Sequence, residues 1–260
     1  ISTRDWSSDV CSSDLLQSLR LAADGRSATV VLKANQDSVS NLMLTVKDTV
    51  VDLAGNKLAS AVVNAAVPVD TQNPTVLPVA GTPPGVTVTK TLITDADVGG
   101  QFSVSFRFSE PMDKSVNPRV EPSVNVPGIT AVNGGWDDSG RVFTQTFAVA
   151  DGNADARQVT LTISGARDAN GNESVSFTTP AGIDFDTQNP VAQVTAPTVL
   201  LTDASDSVTY TVNFSEAVKS FGAGDVTYSG GTLQSLRLAA DGRSATVVLK
   251  ANQEIGRAHV

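Results

Sequence analysis

Short runs in which apolar and polar residues alternate recur along this chain of 260 residues. In the clearest run, residues 101–109, every second position is apolar: Phe102, Val104, Phe106 and Phe108. Successive side chains of a strand point to opposite faces, so this period predicts a half-buried strand with these four side chains inward. A slip of one residue would bury Ser103, Ser105 and Arg107 instead, and we therefore expect a fixed register.

Turn signals separate this run from others of the same kind. Asp24-Gly25 indicates a hairpin, because both residue types adopt positive φ readily, and the polar stretches 52–56 and 168–172 indicate tight turns. The strands predicted in the middle of the chain are 86–92, 120–126, 129–132, 142–149, 159–163 and 175–177. Many short strands between turns are typical of an all-β fold built as two-sheet sandwiches.

Two exact repeats divide the chain. The five residues Asp-Thr-Gln-Asn-Pro at 70–74 recur at 186–190, 116 residues later, and residues 16–36 are identical to 233–253. A fixed spacing is the signature of tandem repeats, and the proline of each joint stops strand pairing across it. We therefore predict one complete sandwich between two truncated and mutually complementary ones: 16–69 (a C-terminal half), 70–185 (complete) and 186–253 (an N-terminal half).

The two ends of the chain do not follow the repeat. Residues 5–15 and 254–260 resemble the translation of a sequencing-library adapter read from opposite strands. We therefore interpret 1–15 and 254–260 as artefactual, expect both to be disordered, and exclude them from fold reasoning. Their Trp6, Cys11 and His259 carry no argument about chemistry, and the rest of the chain has no cysteine with which to form a disulfide.

Composition and net charge exclude several classes of function. A formal net charge of −9 argues against nucleic acid or an anionic membrane as a partner, and no apolar run reaches the roughly 18 residues of a membrane span. With His259 set aside, a Ser-His nucleophile has no base and zinc lacks its usual ligands. No glycine-rich phosphate loop is present either, so the sequence predicts no enzyme.

Three motifs in a constant order resemble the bacterial immunoglobulin-like repeats. They are Phe-Ser-Glu at the end of an apolar strand (108–110 and 214–216), an Asp-x-x-Gly-Asn turn (52–56 and 168–172) and the Asp-Thr-Gln-Asn-Pro joint. The resemblance covers nearly all of 16–253. It implies immunoglobulin-like sandwiches, an extracellular or cell-surface location, and a stalk or spacer role in an adhesin whose partners are neighbouring repeats and a host or matrix glycan or protein.

Two other roles remain open from the sequence. The alternatives to a stalk are a carbohydrate- or protein-binding module and an accessory domain of a secreted enzyme. Trp136 follows two glycines and fits either a partly buried hairpin position or a surface on which a sugar stacks. Fold alone does not decide between these roles.

Acidic residues converge on each joint if the sandwich has the topology that the resemblance implies. Calcium prefers hard oxygen ligands from Asp, Glu, Asn and backbone carbonyls. We expect Asp95 and Asp97 to lie near the second joint. The candidate calcium ligands are Asp70, Asn73, Glu110, Asp113, Asp168, Asn170, Asp184, Asp186, Asn189 and Glu216. The alternative is that these side chains only cap turns by bonding to nearby backbone groups.

Overall fold

The computed structural model describes residues 16–34, 39–78, 84–202 and 205–252. These residues fall into two compact units that are divided between Asp186 and Thr187. The predictions for 1–15 and 254–260 lie outside the described residues. In the described part the only helical elements are two 3-10 turns, Asp95–Asp97 and Ala223–Asp225. Neither could cross a membrane, and no other helix is present there that could. The predicted all-β class is confirmed.

The described strands fall into three groups along the chain. The first group, β1 to β6, comprises Leu16–Leu21, Ala28–Leu32, Val39–Leu42, Thr45–Val46, Val62–Val63 and Val67–Asp70. The second, β7 to β16, comprises Val86–Val88, Leu92–Thr94, Gln101–Arg107, Arg119–Pro122, Ile129–Trp136, Val142–Val149, Asp155–Val159, Leu161–Ser164, Phe177–Thr178 and Ile183–Asp186. The third, β17 to β20, comprises Ala192–Thr195, Ser207–Phe214, Gly231–Leu238 and Ser244–Ala251.

The second group builds a sandwich around one core. Its first layer is a sheet in the order β11-β12-β9-β7, in which Phe106 lies opposite Phe143. The four apolar residues of 101–109 are all buried, whereas Ser103, Ser105 and Arg107 are only partly covered, so the predicted register of β9 is confirmed. Phe102 stacks on Phe147 of the neighbouring strand, with ring centroids 5.1 Å apart.

Two smaller sheets form the second layer, in the orders β13-β16-β8 and β10-β14-β15. The prediction of one strand over 86–92 is wrong, because the chain changes layer there: β7 pairs with β9, and β8 pairs in parallel with β16. Phe185 of β16 reaches across the core to Phe102, 5.9 Å between centroids. The second layer therefore closes over the phenylalanines of the first.

The second unit repeats the first layer of this sandwich. Its sheet has the order β17-β18-β20-β19, and Phe214 N donates to Arg243 O at 2.9 Å just as Phe108 N donates to Arg141 O at 2.8 Å. Even the irregularity in β11 is reproduced in β19. Its apolar side chains are less covered, since Val212, Ala245 and Val247 are the only buried ones among those described in this unit.

The strands β3 to β6 repeat the second layer instead. Val39 lies opposite Asp70 as Asp155 lies opposite Asp186, 116 residues further on. Likewise β4 pairs with β5 around the 52–56 turn as β14 pairs with β15 around the 168–172 turn. Each layer of the middle sandwich therefore occurs a second time among the described residues, the second layer in 39–70 and the first layer in the second unit.

Candidate metal centre at the first joint

The turn 168–172 presents a buried carboxylate at the start of the first joint. Asp168 is only 3% exposed, and its Oδ1 accepts the backbone N–H groups of Asn170 at 2.8 Å and Asn172 at 2.9 Å. Its Oδ2 accepts Asn172 Nδ2 at 2.8 Å. Gly171 has φ of +91°, which glycine adopts at little cost. The Asp-x-x-Gly-Asn spacing therefore folds into a closed turn around its own first side chain.

The same two asparagines hold the joint. Asn170 Nδ2 donates to Asp70 Oδ2 at 2.7 Å, and Asn172 Nδ2 lies 3.3 Å from the backbone oxygen of Asp70. These bonds connect residues about one hundred positions apart in the sequence. They bring the Asp70 and Asp168 carboxylates to the same place.

Glu110, just beyond the end of β9, supplies a third carboxylate. One oxygen from each of Asp70, Glu110 and Asp168 lies within 4.8 Å of the others. Partial burial raises the pKa of Glu110, and the negative charges of Asp168 and Asp70 raise it further, against the opposing charge of Arg141. Arg141 also donates Nη1 to Ser109 O at 2.6 Å.

These three side chains suit a hard cation. Their donors are carboxylate oxygens, the ligand class that calcium and magnesium take in proteins. Burial is the main cause of the raised pKa of Glu110, and the neighbouring carboxylates of Asp168 and Asp70 add to it. The Asp70 backbone oxygen and the Asn170 side chain lie beside the carboxylates, so the donor set fits calcium better than zinc.

The other two candidates near this joint are engaged differently. Asp113 Oδ1 accepts the backbone N–H of Ser115 at 2.9 Å and its hydroxyl at 2.7 Å, and these bonds lower the pKa of Asp113. Asn73 is exposed and precedes the buried Pro74, whose backbone oxygen accepts Val175 N at 2.9 Å. The structure therefore places Asp113 in a turn-capping role and Asn73 on the surface.

At the end of β16 the acidic candidates carry their own partners. Asp186 Oδ2 accepts Arg157 Nη2 at 2.7 Å, and this bond is the main reason why the pKa of Arg157 is raised. Asp184 Oδ1 accepts the backbone N–H of Gln158 at 2.7 Å and its amide at 3.2 Å. Asp97 pairs with Lys90, which lowers the pKa of Asp97. Cations and amide donors from the same unit thus satisfy these carboxylates.

The last two candidates lie in the second unit. Asn189 is exposed. Glu216 occupies the position of Glu110 in the repeated Phe-Ser-Glu motif, and its Oε1 is buried without a hydrogen-bond partner among the described residues. A buried carboxylate oxygen that lacks a partner is costly, so this position calls for an explanation.

Trp136 lies at the border of the core rather than on an open platform. Its ring packs against Phe108 at 5.4 Å and Phe143 at 5.2 Å between centroids, and its Nε1 donates to Val116 O at 3.0 Å. Both the apolar body and the polar tip of the indole are therefore used within the fold.

Sequence reasoning missed the residues that connect the candidates. Asn172 donates hydrogen bonds to both Asp168 and Asp70. The positive charge of Arg141 partly offsets the negative charge around Glu110. A signal for Asn172 was present, because Asn56 stands at the same place in the 52–56 turn and donates Nδ2 to Asp52 Oδ2 at 3.0 Å. Nothing in the sequence pattern pointed to Arg157 as the partner of Asp186.

Comparison with models of protein families gives a match for part of the chain. The fold is that of all-β immunoglobulin-like sandwiches, and residues 186–260 match the family model of a bacterial Ig-like domain. The resemblance predicted from the motifs is confirmed over this stretch, which also runs through 254–260. A comparison with curated proteins finds no match.

Proposed function

We propose that this chain is part of the stalk of an extracellular bacterial adhesin, in which tandem immunoglobulin-like repeats act as a spacer. The observation that carries the proposal is that the pairing of β3 with β6 and of β4 with β5 recurs 116 residues later, apart from one register shift in β13. A spacer gains length by duplicating one unit and has no need to diversify a binding face. The match to a bacterial Ig-like domain supports the same class.

The alternative roles receive less support from the described residues. Trp136, the side chain considered for sugar stacking, is packed between two phenylalanines and hydrogen-bonded to the backbone. The buried side chains of the middle sandwich are almost all apolar, and its most buried carboxylate, Asp168, closes a turn. We therefore place recognition of a glycan or protein outside this stretch and assign no catalytic role to it.

We further propose that calcium rigidifies the first joint. Asp70 belongs to the joint, whereas Glu110 and Asp168 belong to the sandwich that follows it, so one ion would tie the two together. Without a cation the three carboxylates repel one another. Extracellular modules of this kind bind calcium at roughly 10⁻⁴ to 10⁻³ M, which suits the concentration outside cells.

The test is a pair of matched variants of the full chain. Asp168→Asn removes one charge from the cluster, whereas Asp52→Asn changes the equivalent exposed turn, which has no such cluster in the described residues. Melting temperature is recorded with millimolar calcium and with a chelator. Millimolar calcium is one to ten times a Kd of roughly 10⁻⁴ to 10⁻³ M, so binding stabilises the folded state by roughly 0.4 to 1.4 kcal/mol. We expect this gain in the parent chain and in Asp52→Asn, and its loss in Asp168→Asn.

Small-angle scattering separates the calcium proposal from the spacer proposal. A melting temperature that is the same in calcium and in chelator would rule out the metal site while leaving the spacer role intact. An extended particle whose maximum dimension increases with the number of repeats supports the spacer. A compact particle whose dimension does not grow when a repeat is added would contradict it.

A further inference from the structure

A cleft opens between the two layers of the middle sandwich, at the edge formed by β10 and β11. Each of these strands is the last strand of its own sheet, one in the second layer and one in the first. The cleft has a volume of about 360 Å³, and its floor consists of the buried rings of Phe102, Phe147 and Phe185. The main core can therefore be reached from solvent at this edge.

The cleft lies where the middle repeat differs from the other copies of the same strand. Ala131 of β11 lies opposite Phe147, just before the irregularity in the strand, and it lines the cleft. At the same place in β19, Leu233 lies opposite Leu249. Leu16 of β1 repeats Leu233, since 16–36 and 233–253 are identical. The middle repeat therefore has a small side chain where both other copies have leucine.

A second small residue of β11 is compensated by its neighbour. Gly134 takes the place of Leu236 in β19. A Cβ on Gly134 would lie only 2.7 Å from Cζ of Phe143, whose counterpart in β20 is the small Ala245. The ring of Phe143 therefore fills the space that a leucine occupies in the other copies.

The space at Ala131 is not filled in this way. Phe102 and Phe147 are larger than their counterparts Val208 and Leu249. Their rings stack on each other with centroids 5.1 Å apart, and Ala131 remains exposed. The sandwich thus closes one gap along β11 and leaves the other open.

The lining of the cleft indicates which kind of ligand would fit. None of the described residues that line it carries a charge, although the chain has a formal net charge of −9. Two of them are polar, Asn125 and Thr130, and both are exposed. An apolar concave surface with a few polar groups is typical of small-molecule sites. At the packing density of a protein interior, the volume holds roughly 15 non-hydrogen atoms.

We propose that this cleft binds an uncharged apolar small molecule of roughly 15 non-hydrogen atoms. Its aromatic or branched aliphatic body rests on the three phenylalanine rings, and one polar group, such as a hydroxyl, lies beside Asn125 and Thr130. A charged group would lose its hydration in the cleft without meeting an opposite charge. This binding function is separate from the spacer role and from the calcium site.

Titration of the full chain with N-phenyl-1-naphthylamine, a neutral fluorescent probe of about this size, tests the proposal. Ala131→Leu restores the leucine of the other copies and fills the cleft. Ala150→Leu makes the same change at an exposed position outside the cleft and is the matched control. The parent chain and Ala150→Leu should each bind one probe saturably. Ala131→Leu should lose affinity by about tenfold or more, because three added carbon atoms take space and apolar contacts from the probe.

Methyl NMR of the parent chain locates the probe without any substitution. Signals of Val126, Ile129 and Leu161, which line the cleft, should shift on titration, whereas that of the exposed Val194 in β17 should not. If Trp136 fluorescence shows that Ala131→Leu disturbs the core, these shifts decide the question. Three results overturn the proposal: no saturable binding to the parent chain, affinity that Ala131→Leu leaves unchanged, or shifts centred on exposed valines outside the cleft.

Discussion

The sheet β11-β12-β9-β7 and the sheet β19-β20-β18-β17 have the same strand order and pairing but differ in burial. Phe108 in the first sheet is 1% exposed, whereas its counterpart Phe214 in the second is only partly buried. Phe108 directly follows β9, Phe214 is the last residue of β18, and both precede Ser-Glu. The difference shows that alternating sequence and turn chemistry suffice to form this layer, while its core requires a second layer.

The same comparison explains why two stretches of the middle sandwich form strands while their counterparts in the second unit do not. β8 and β10 are strands because β16 and β14 pair with them. The stretches 200–201 and 226–228 align in sequence with β8 and β10 and have similar apolar content, but neither is a strand in the structure. A strand of two to four residues is therefore defined by its partner more than by its own propensity.

Truncation of the equivalent phenylalanines Phe108 and Phe214 should reveal the largest difference in stability between the two sheets. Phe108→Ala removes a buried ring that packs on Trp136, and we expect a loss of about 3 to 5 kcal/mol in the free energy of unfolding. Phe214→Ala should cost roughly 1 kcal/mol, because that ring has kept much of its contact with water. Urea unfolding followed by Trp136 fluorescence measures the first, and hydrogen exchange in β18 measures the second.

Equal costs for the two substitutions would contradict the comparison. Each variant serves as the other's control, since both delete the same atoms at the same position of the repeat.

The asparagines of the two equivalent turns should give an intermediate effect. Asn172→Ala removes donors from Asp70 and from the buried Asp168, and we expect a loss of about 1 to 3 kcal/mol. Asn56→Ala removes the same amide from an exposed turn and should change stability by less than about 0.5 kcal/mol. Urea unfolding of both variants, monitored by far-UV circular dichroism, checks the difference, and a larger loss in Asn56→Ala would refute this reading of the two turns.

Titration of Glu110 should give the smallest change in stability. Its pKa is raised above the ordinary 4.5, so the folded state holds this proton more tightly than the unfolded state does. The contribution of Glu110 to stability is therefore least favourable above its folded pKa and improves as pH falls toward 4.5. In chelator, Glu110→Gln should raise the melting temperature at neutral pH by about 1 to 3 °C, after allowance for solvent screening.

The difference between parent and Glu110→Gln isolates this group from the others. Asp97 and Asp113 have lowered pKa values and lose their stabilising charge as pH falls, in the opposite direction, in both proteins. The gap between the two melting temperatures should therefore shrink as pH is lowered. A gap that widens toward acid would mean that the Glu110 carboxylate is stabilised, contrary to its surroundings.

Much of the fold could be predicted because its signals are local. The alternation in β9 indicated both the strand and its inward face, and the repeated joints indicated the spacing of the units. Two strands of the second layer were missed, β13 and β16, because Asp155–Val159 is mostly polar and Ile183–Asp186 is only four residues long. Their pairing is long-range, and a single sequence gives little signal for it.

The candidate site was predictable only in part, for the same reason. Turn motifs indicated Asp168 and Asn170, and the joint motif indicated Asp70, so their meeting followed from the topology that the family resemblance implied. The partners that decide whether a carboxylate is available, Ser115 for Asp113 and Arg157 for Asp186, depend on side-chain directions that the motifs do not encode.

Hydrogen exchange of the full chain tests the central claim, that the same layer is stable only when a second layer covers it. Amide protection in β9 and β18 is compared by mass spectrometry at a protein concentration low enough for the chain to be monomeric. We predict strong protection of β9, as expected for a buried strand that opens only on global unfolding, and much weaker protection of β18. Equal protection of the two strands under these conditions would contradict the account.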